Sequence, residues 1–332
     1  MDSKMTEKLA LFSENTQSIK KGFRWHDSTT RRLAALLYAL ESKTIDSEEI
    51  QRCHIMLKKN TGVFSGFRGD MSLCIATLLS LSEHPKRLLE NTIDVYGKLT
   101  DVKFRKSEYL AIAAYLIASG TDNAGYPLAV ERTKAFYDEL KSFKWVYAGR
   151  DDYIFMAMLG LSDIDITSFK GRIEALYKML KREFRDKSSV LSLTQVLVFC
   201  NASDEAVERM VSLSDAMKTQ KLRYDKSFTL PALGVLALLP VDVDTTVQLL
   251  AEASGFLMNQ AGLRRGSVSA QERLLYVAAI TASEYSCREN ASILTAALST
   301  SITNIIVAQQ ITVMLTMIAA SQAATVAMSA QS

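Results

Sequence analysis

Both tryptophans of this 332-residue chain, with several acids and other aromatics, stand at breaks between its apolar runs. Asp70, Asp151 and Asp152, with Glu108, could supply a pair of carboxyls for acid/base hydrolysis of a sugar. That chemistry needs two such groups about 5–9 Å apart across the scissile bond. All four also precede or begin apolar helical runs, where acids serve as partners of the helix dipole. The two tryptophans, Trp25 and Trp145, occupy equivalent breaks. Near them in the sequence pattern lie Phe64, Phe67, Tyr147, Tyr153 and Tyr224, together with His26, Asp27, Arg68 and Arg150. Trp25, Phe67, Arg68, Trp145 and Arg150 form the candidate ligand-binding set. Aromatic walls with converging guanidinium groups suit a small anionic or polyhydroxy ligand. Capping and plugging of helix ends accounts for the same positions without a ligand.

Other chemistries find less. The histidines, His26, His54 and His84, make no i, i+4 pair. Cys53 and His54 are adjacent and diverge by about 100° on a helix, a poor chelating arrangement. Cys53, Cys74, Cys200 and Cys287 share no C-x-x-C spacing, so reduced thiols are expected, with Cys74 and Cys200 in the core. No metal site is expected. No phosphate-binding loop, dinucleotide fingerprint or nucleophile elbow occurs, so no cofactor is assigned. Arg68-Gly69-Asp70 spells an adhesion tripeptide, but it stands at a helix start, where chance accounts for it. The 39 basic and 36 acidic residues nearly balance, which gives no reason to expect nucleic-acid binding.

The positioning elements repeat. Apolar runs end at Ser42, Ser82, Ser119, Ser162, Ser203, Pro240 and Ser283, with gaps of 40, 37, 43, 41, 37 and 43 residues. Stacked αα-hairpins produce a period in this range, because one hairpin cannot bury its apolar face alone. The runs 33–40, 71–81, 109–118, 153–161, 190–200, 228–239 and 274–282 are apolar nearly all round, as helices buried on every side are. The runs 87–99, 173–180 and 207–217 are amphipathic. The unit therefore reads as a buried inner helix followed by a half-exposed outer one. Ser82-Glu83, Ser162-Asp163, Ser203-Asp204 and Asp242/Asp244 are expected to cap outer helices. Phe67-Arg68, Phe104-Arg105, Phe184-Arg185, Leu222-Arg223 and Leu263-Arg264 are expected to close them, with Ser72, Ser107, Ser188, Ser227 and Ser267 capping the next inner helix. Gly149-Arg150-Asp151-Asp152 departs from that pattern.

The expected fold is all-α, about seven αα-hairpins in a closed α/α toroid or a tightly wound α-solenoid, with a closing C-terminal apolar helix. It reads as one domain over 1–332, with an N-terminal segment 1–28, hairpins 29–286 and an uncharged helical region 287–332. The stretch 305–328 is long enough for one bilayer crossing, but Gln309, Gln310 and Gln322 interrupt it and no Lys or Arg follows. Packing on the body is the preferred reading and a membrane tail the alternative. With no secretory leader, a cytoplasmic protein is expected. The preferred function is a non-enzymatic binding or scaffold protein, with another protein or a small anionic ligand as partner. The alternative is a toroid enzyme acting on a small anionic or sugar-like substrate at the basic, aromatic end.

Three stretches carry a resemblance. They are Phe64-x-Gly66-Phe67-Arg68-Gly69-Asp70 with the run after it, Asp152-Tyr153-Ile154-Phe155-x-Ala157-Met158-Leu159, and the Gln309-Gln310 helix ending in Ala and Ser. Over nearly its whole length the chain resembles an uncharacterised bacterial family, domain of unknown function 4003. The resemblance implies a cytosolic bacterial protein of about this length. It carries no activity, ligand or catalytic residue.

Overall fold

The computed structural model describes residues 1–62, 65–224, 227–286, 308 and 311–312. Among them are fourteen α-helices: α1 Ser3–Gly22, α2 Ser28–Leu40, α3 Ser47–Asn60, α4 Met71–Ser80, α5 Pro85–Asp101, α6 Glu108–Gly120, α7 Tyr126–Ser142, α8 Tyr153–Leu161, α9 Ile166–Glu183, α10 Lys187–Phe199, α11 Asp204–Thr219, α12 Leu230–Ala237, α13 Val243–Met258 and α14 Ala270–Ser286. A 3-10 turn, Ser227–Thr229, leads into α12. No strand occurs among the described residues, where the one β-type contact is an isolated bridge between Arg265 and Val268.

The described residues fall into two compact units. One comprises Met1–Gln17, Tyr38–Thr44 and the chain from Ile164 to the end of α14; the other comprises Ser18–Leu37 and Ile45–Asp163. In the second unit α4, α6 and α8 touch in succession, and so do α3, α5 and α7. The main partner of α3 is α4, that of α5 is α6 and that of α7 is α8, so each amphipathic helix lies chiefly on the apolar helix that follows it. In the first unit α10, α12 and α14 touch in succession, and α11 packs on both α12 and α13.

Burial follows the apolar pattern. Every residue of α8 from Tyr153 to Gly160 is buried, as a helix without a polar face requires. On α5 the buried residues are Leu89, Thr92, Val95, Tyr96 and Leu99, one stripe at helical spacing. The N-terminal segment holds a helix not read from the sequence, α1, which buries Met5, Leu9 and Phe12 in the first unit. Phe12 stacks on Tyr276 of α14 at 5.0 Å, and Lys8 lies 3.7 Å from Glu284.

Several expected caps move. Ser107 accepts from Leu110 N, Ser203 from Ala206 N and Asp242 from Thr245 N, as read from the sequence. The cap of α9 is Asp165 rather than Ser162, and that of α10 is Asp186 rather than Ser188. Helix α5 opens on His84 with Pro85 behind it, and Ser82 instead accepts from the His84 amide. Ser72 lies inside α4, Ser227 begins the 3-10 turn, and Ser269 rather than Ser267 accepts from Glu272 N at the start of α14. Aspartates take the caps of α9 and α10, where a carboxylate accepts backbone amides and complements the dipole. Ser283 lies buried within α14, three residues before the last described residue of that helix, Ser286.

The Phe/Leu-Arg rhythm has a backbone cause at two sites. After α5 and α11, Lys103 and Lys221 take left-handed φ of 72° and 60°, and the next amides, Phe104 N and Leu222 N, bond back to Leu99 O and Met217 O. This closure places an apolar residue just past the turn, where it folds back onto the helix, and Phe104 and Leu222 are both buried.

Of the run 305–328, Ala308, Ile311 and Thr312 are described, the first two buried; the rest of it, with Phe64 and Cys287, lies outside the described residues. Among the described residues no helix is long and apolar enough to cross a membrane.

Candidate functional site

The sequence-predicted residues sit in the loops that follow α1, α3 and α7 in the second unit. Contacts link these loops at one end of its helices. His26 Nδ1, after α1, lies 3.7 Å from Asp70 Oδ1, after α3, and the Asp27 amide donates to the same oxygen at 3.1 Å. A Cβ on Gly66 would stand 2.1 Å from Ser107 O, so the loops after α3 and α5 meet backbone to backbone. Phe104, after α5, packs against Tyr137 of α7 and Tyr153 of α8 at 5.3 and 4.8 Å.

Most of the predicted site is used in holding these loops. Arg68 donates to the Lys58 and Gly62 carbonyls at 2.8 and 3.1 Å and also to Thr61 O, satisfying the C-terminus of α3. Phe67 is buried on Tyr96, with ring centroids 4.9 Å apart. Asp152 is buried at the start of α8 and accepts from Gly149 N at 2.7 Å. Asp151 is half-buried beside Gly149. Trp145 is half-buried against Phe143 at 5.0 Å, Arg150 is exposed, and Trp25 is 86% exposed beneath the Arg24 guanidinium.

The structure adds a pairing that the sequence did not announce. His54 of α3 is buried, with Nε2 2.8 Å from Ser72 Oγ. The Ser72 hydroxyl gives its one hydrogen to Gly69 O at 2.6 Å, so Nε2–H donates to Ser72. A nucleophilic serine would need the opposite polarity, with the ring accepting. Burial pushes the His54 pKa down to about 4, helped by Lys58, His26 and Arg68. His26, 3.7 Å away, is the main cause holding Asp70 below the usual carboxylate range. Burial raises the thiols of Cys53, Cys74 and Cys200 to about 12, so none is a ready nucleophile. Among the described residues no cluster of three metal-ligating side chains occurs.

Two clefts lie elsewhere on the second unit. A groove of about 540 Å³ runs between the outer helices α5 and α7, with Val102, Pro127, Val130 and Ala135 as its apolar floor and Lys98, Asp101, Glu131, Lys134 and Asp138 as its rim. Lys98 pairs with Asp94 at 2.6 Å and Lys134 with Asp138, which leaves Asp101 and Glu131 as the rim acids outside those pairs. A second cleft, of about 480 Å³, is lined by His84, Arg87, Asn91, Asn123 and Tyr126 where α5 and α7 begin, the opposite helix ends from the predicted site. His84 and Arg87 are visible in the sequence as a helix start, but nothing local brings Asn123 beside them.

No curated protein and no solved structure matches the chain. A family model does match it, over residues 15–311, and the chain therefore belongs to the family described as protein of unknown function, DUF4003.

Proposed function

We propose that this chain is a helical-repeat binding protein of the bacterial cytosol that holds an amphipathic helix of another protein along α5 and α7. The observation that carries the reading is the groove between those helices: an apolar floor, a charged rim, and Asp101 and Glu131 outside the rim's ion pairs. Grooves of this form take a partner helix by its apolar stripe, and the two acids select a stripe flanked by Lys or Arg. The repeat reading has a second support. Arg132, Arg172 and Arg209, spaced like the breaks, each donate to carbonyls at or just beyond the end of the following apolar helix: Gly160 and Ser162, Ala202, and Val241. Three buried thiols without disulfides suit a reducing compartment. The small-ligand reading at Trp25, Phe67, Arg68, Trp145 and Arg150 has less behind it, because Arg68 is engaged by α3 and Phe67 by Tyr96.

A photo-crosslinking residue placed at half-exposed Ala135 tests the proposal in living cells. The expected product is one polypeptide attached through a basic amphipathic helix. Its synthetic peptide should bind the purified protein and lose affinity at least tenfold with Ala135→Arg. Absence of a cross-linked polypeptide, or a peptide whose binding ignores Ala135→Arg, overturns it.

A further inference from the structure

The loop end of the second unit segregates its charges. Two of its carboxylates turn inward: Asp70 holds His26 and the Asp27 amide, and Asp152 is buried on Gly149 N. Its cations turn outward. Arg24, Lys103, Arg105, Lys106, Lys144 and Arg150 are all exposed, six cations against the three exposed acids at this end, Asp27, Asp101 and Glu108. Amid this positive rim stand the two most exposed large aromatics of the described chain, Trp25 at 86% and Tyr147 at 96%. A dipole explanation accounts for Arg68, which is folded back onto α3 carbonyls. It does not account for aromatic rings held in water at the tips of the loops.

Rings with an apolar body and a polar edge partition to the boundary between headgroups and acyl chains, and cations beside them are drawn to anionic lipid. We propose that this end of the second unit docks on an anionic lipid bilayer, with Trp25 and Tyr147 entering the headgroup boundary and the six cations facing the lipid phosphates. The groove between α5 and α7 is lined chiefly by residues within those helices rather than by the loop tips, and takes no part.

The test uses the full chain, sedimented with vesicles of phosphatidylcholine alone or mixed with phosphatidylglycerol. Pelleting is expected with the mixed vesicles only, and high salt should abolish it. Removing a cation, as in Lys106→Ala, should weaken binding roughly fivefold. Trp25→Ala and Tyr147→Ala should weaken it further, while Ala135→Arg should not, which separates this proposal from the groove. In Trp145→Phe, whose one remaining indole is Trp25, emission should shift to the blue with mixed vesicles and be quenched by lipids brominated on their acyl chains. Equal pelleting with both vesicle types, or with neither, overturns the proposal. So does pelleting with no change at Trp25, the result expected if the segment 305–328 inserts instead.

Discussion

Arg132 of α7 donates from Nε to the Gly160 carbonyl of α8 at 3.1 Å, and its guanidinium also reaches Ser162 O at 2.7 Å. An outer helix thereby helps close the end of the apolar helix that follows it, beside the Ser162 hydroxyl, which donates to Leu159 O at 2.8 Å. Arg172 makes the same contact with Ala202 O, and Arg209 with Val241 O. Arg132→Ala should cost about 1–3 kcal/mol, since it strips a charged donor from half-buried carbonyls. Arg132→Lys should recover part of the loss, because an ammonium cannot span both oxygens as the planar guanidinium does. Urea denaturation of the two variants checks the order.

Met156, Leu197 and Leu236 are fully buried in α8, α10 and α12. Truncation of any one to alanine should destabilise by about 2–5 kcal/mol through lost burial and the cavity left behind. A melting temperature unchanged in Leu236→Ala would deny the apolar helices their role as core.

Two glycines should respond in opposite directions. Gly66 faces the Ser107 backbone at a distance no Cβ tolerates, so Gly66→Ala must part the loops after α3 and α5 and destabilise. Gly171 lies within α9 with nothing within 4 Å of an added Cβ. Gly171→Ala should therefore stabilise by about 1 kcal/mol through helix propensity. Thermal melts of the pair read both signs.

Acid should weaken the fold through His54. Its pKa is about 4 in the folded chain against an ordinary 6.5, so the ring stays neutral when folded and protonates more readily when unfolded. Stability is full above about pH 6.5, declines as pH falls and reaches its full loss, up to about 3 kcal/mol, below about pH 4. Asp70 adds a loss at lower pH, where its depressed carboxylate protonates. His54→Gln keeps a donor toward Ser72 but does not titrate. A stability profile just as steep between pH 6.5 and 4 in that variant would show that His54 is not the titrating group.

Helix class and the core face were legible in the sequence because both are local. The run Tyr153–Leu161 has no polar residue, and a helix of that composition has to be enclosed, as α8 is. Ser107, Ser203 and Asp242 were readable as caps because a cap bonds an amide three residues ahead. The helix in the first 22 residues was missed because its apolar positions are diluted by polar ones, and its place on α14 is set by contacts such as Phe12 on Tyr276, far apart in the chain. The predicted site was readable as residue types at a common helix end, but not as chemistry. Whether Arg68 faces a ligand or the carbonyls of α3, and whether His54 meets Ser72 as donor or acceptor, depends on how the loop from Gly62 to Asp70 closes. The groove between α5 and α7 and the cleft at their start arise from the spacing of helices packed about forty residues apart in sequence. Periodicity determined which face of each helix is apolar. Only the packing of one helix against another decided which polar side chains are spent internally and which remain to meet a partner.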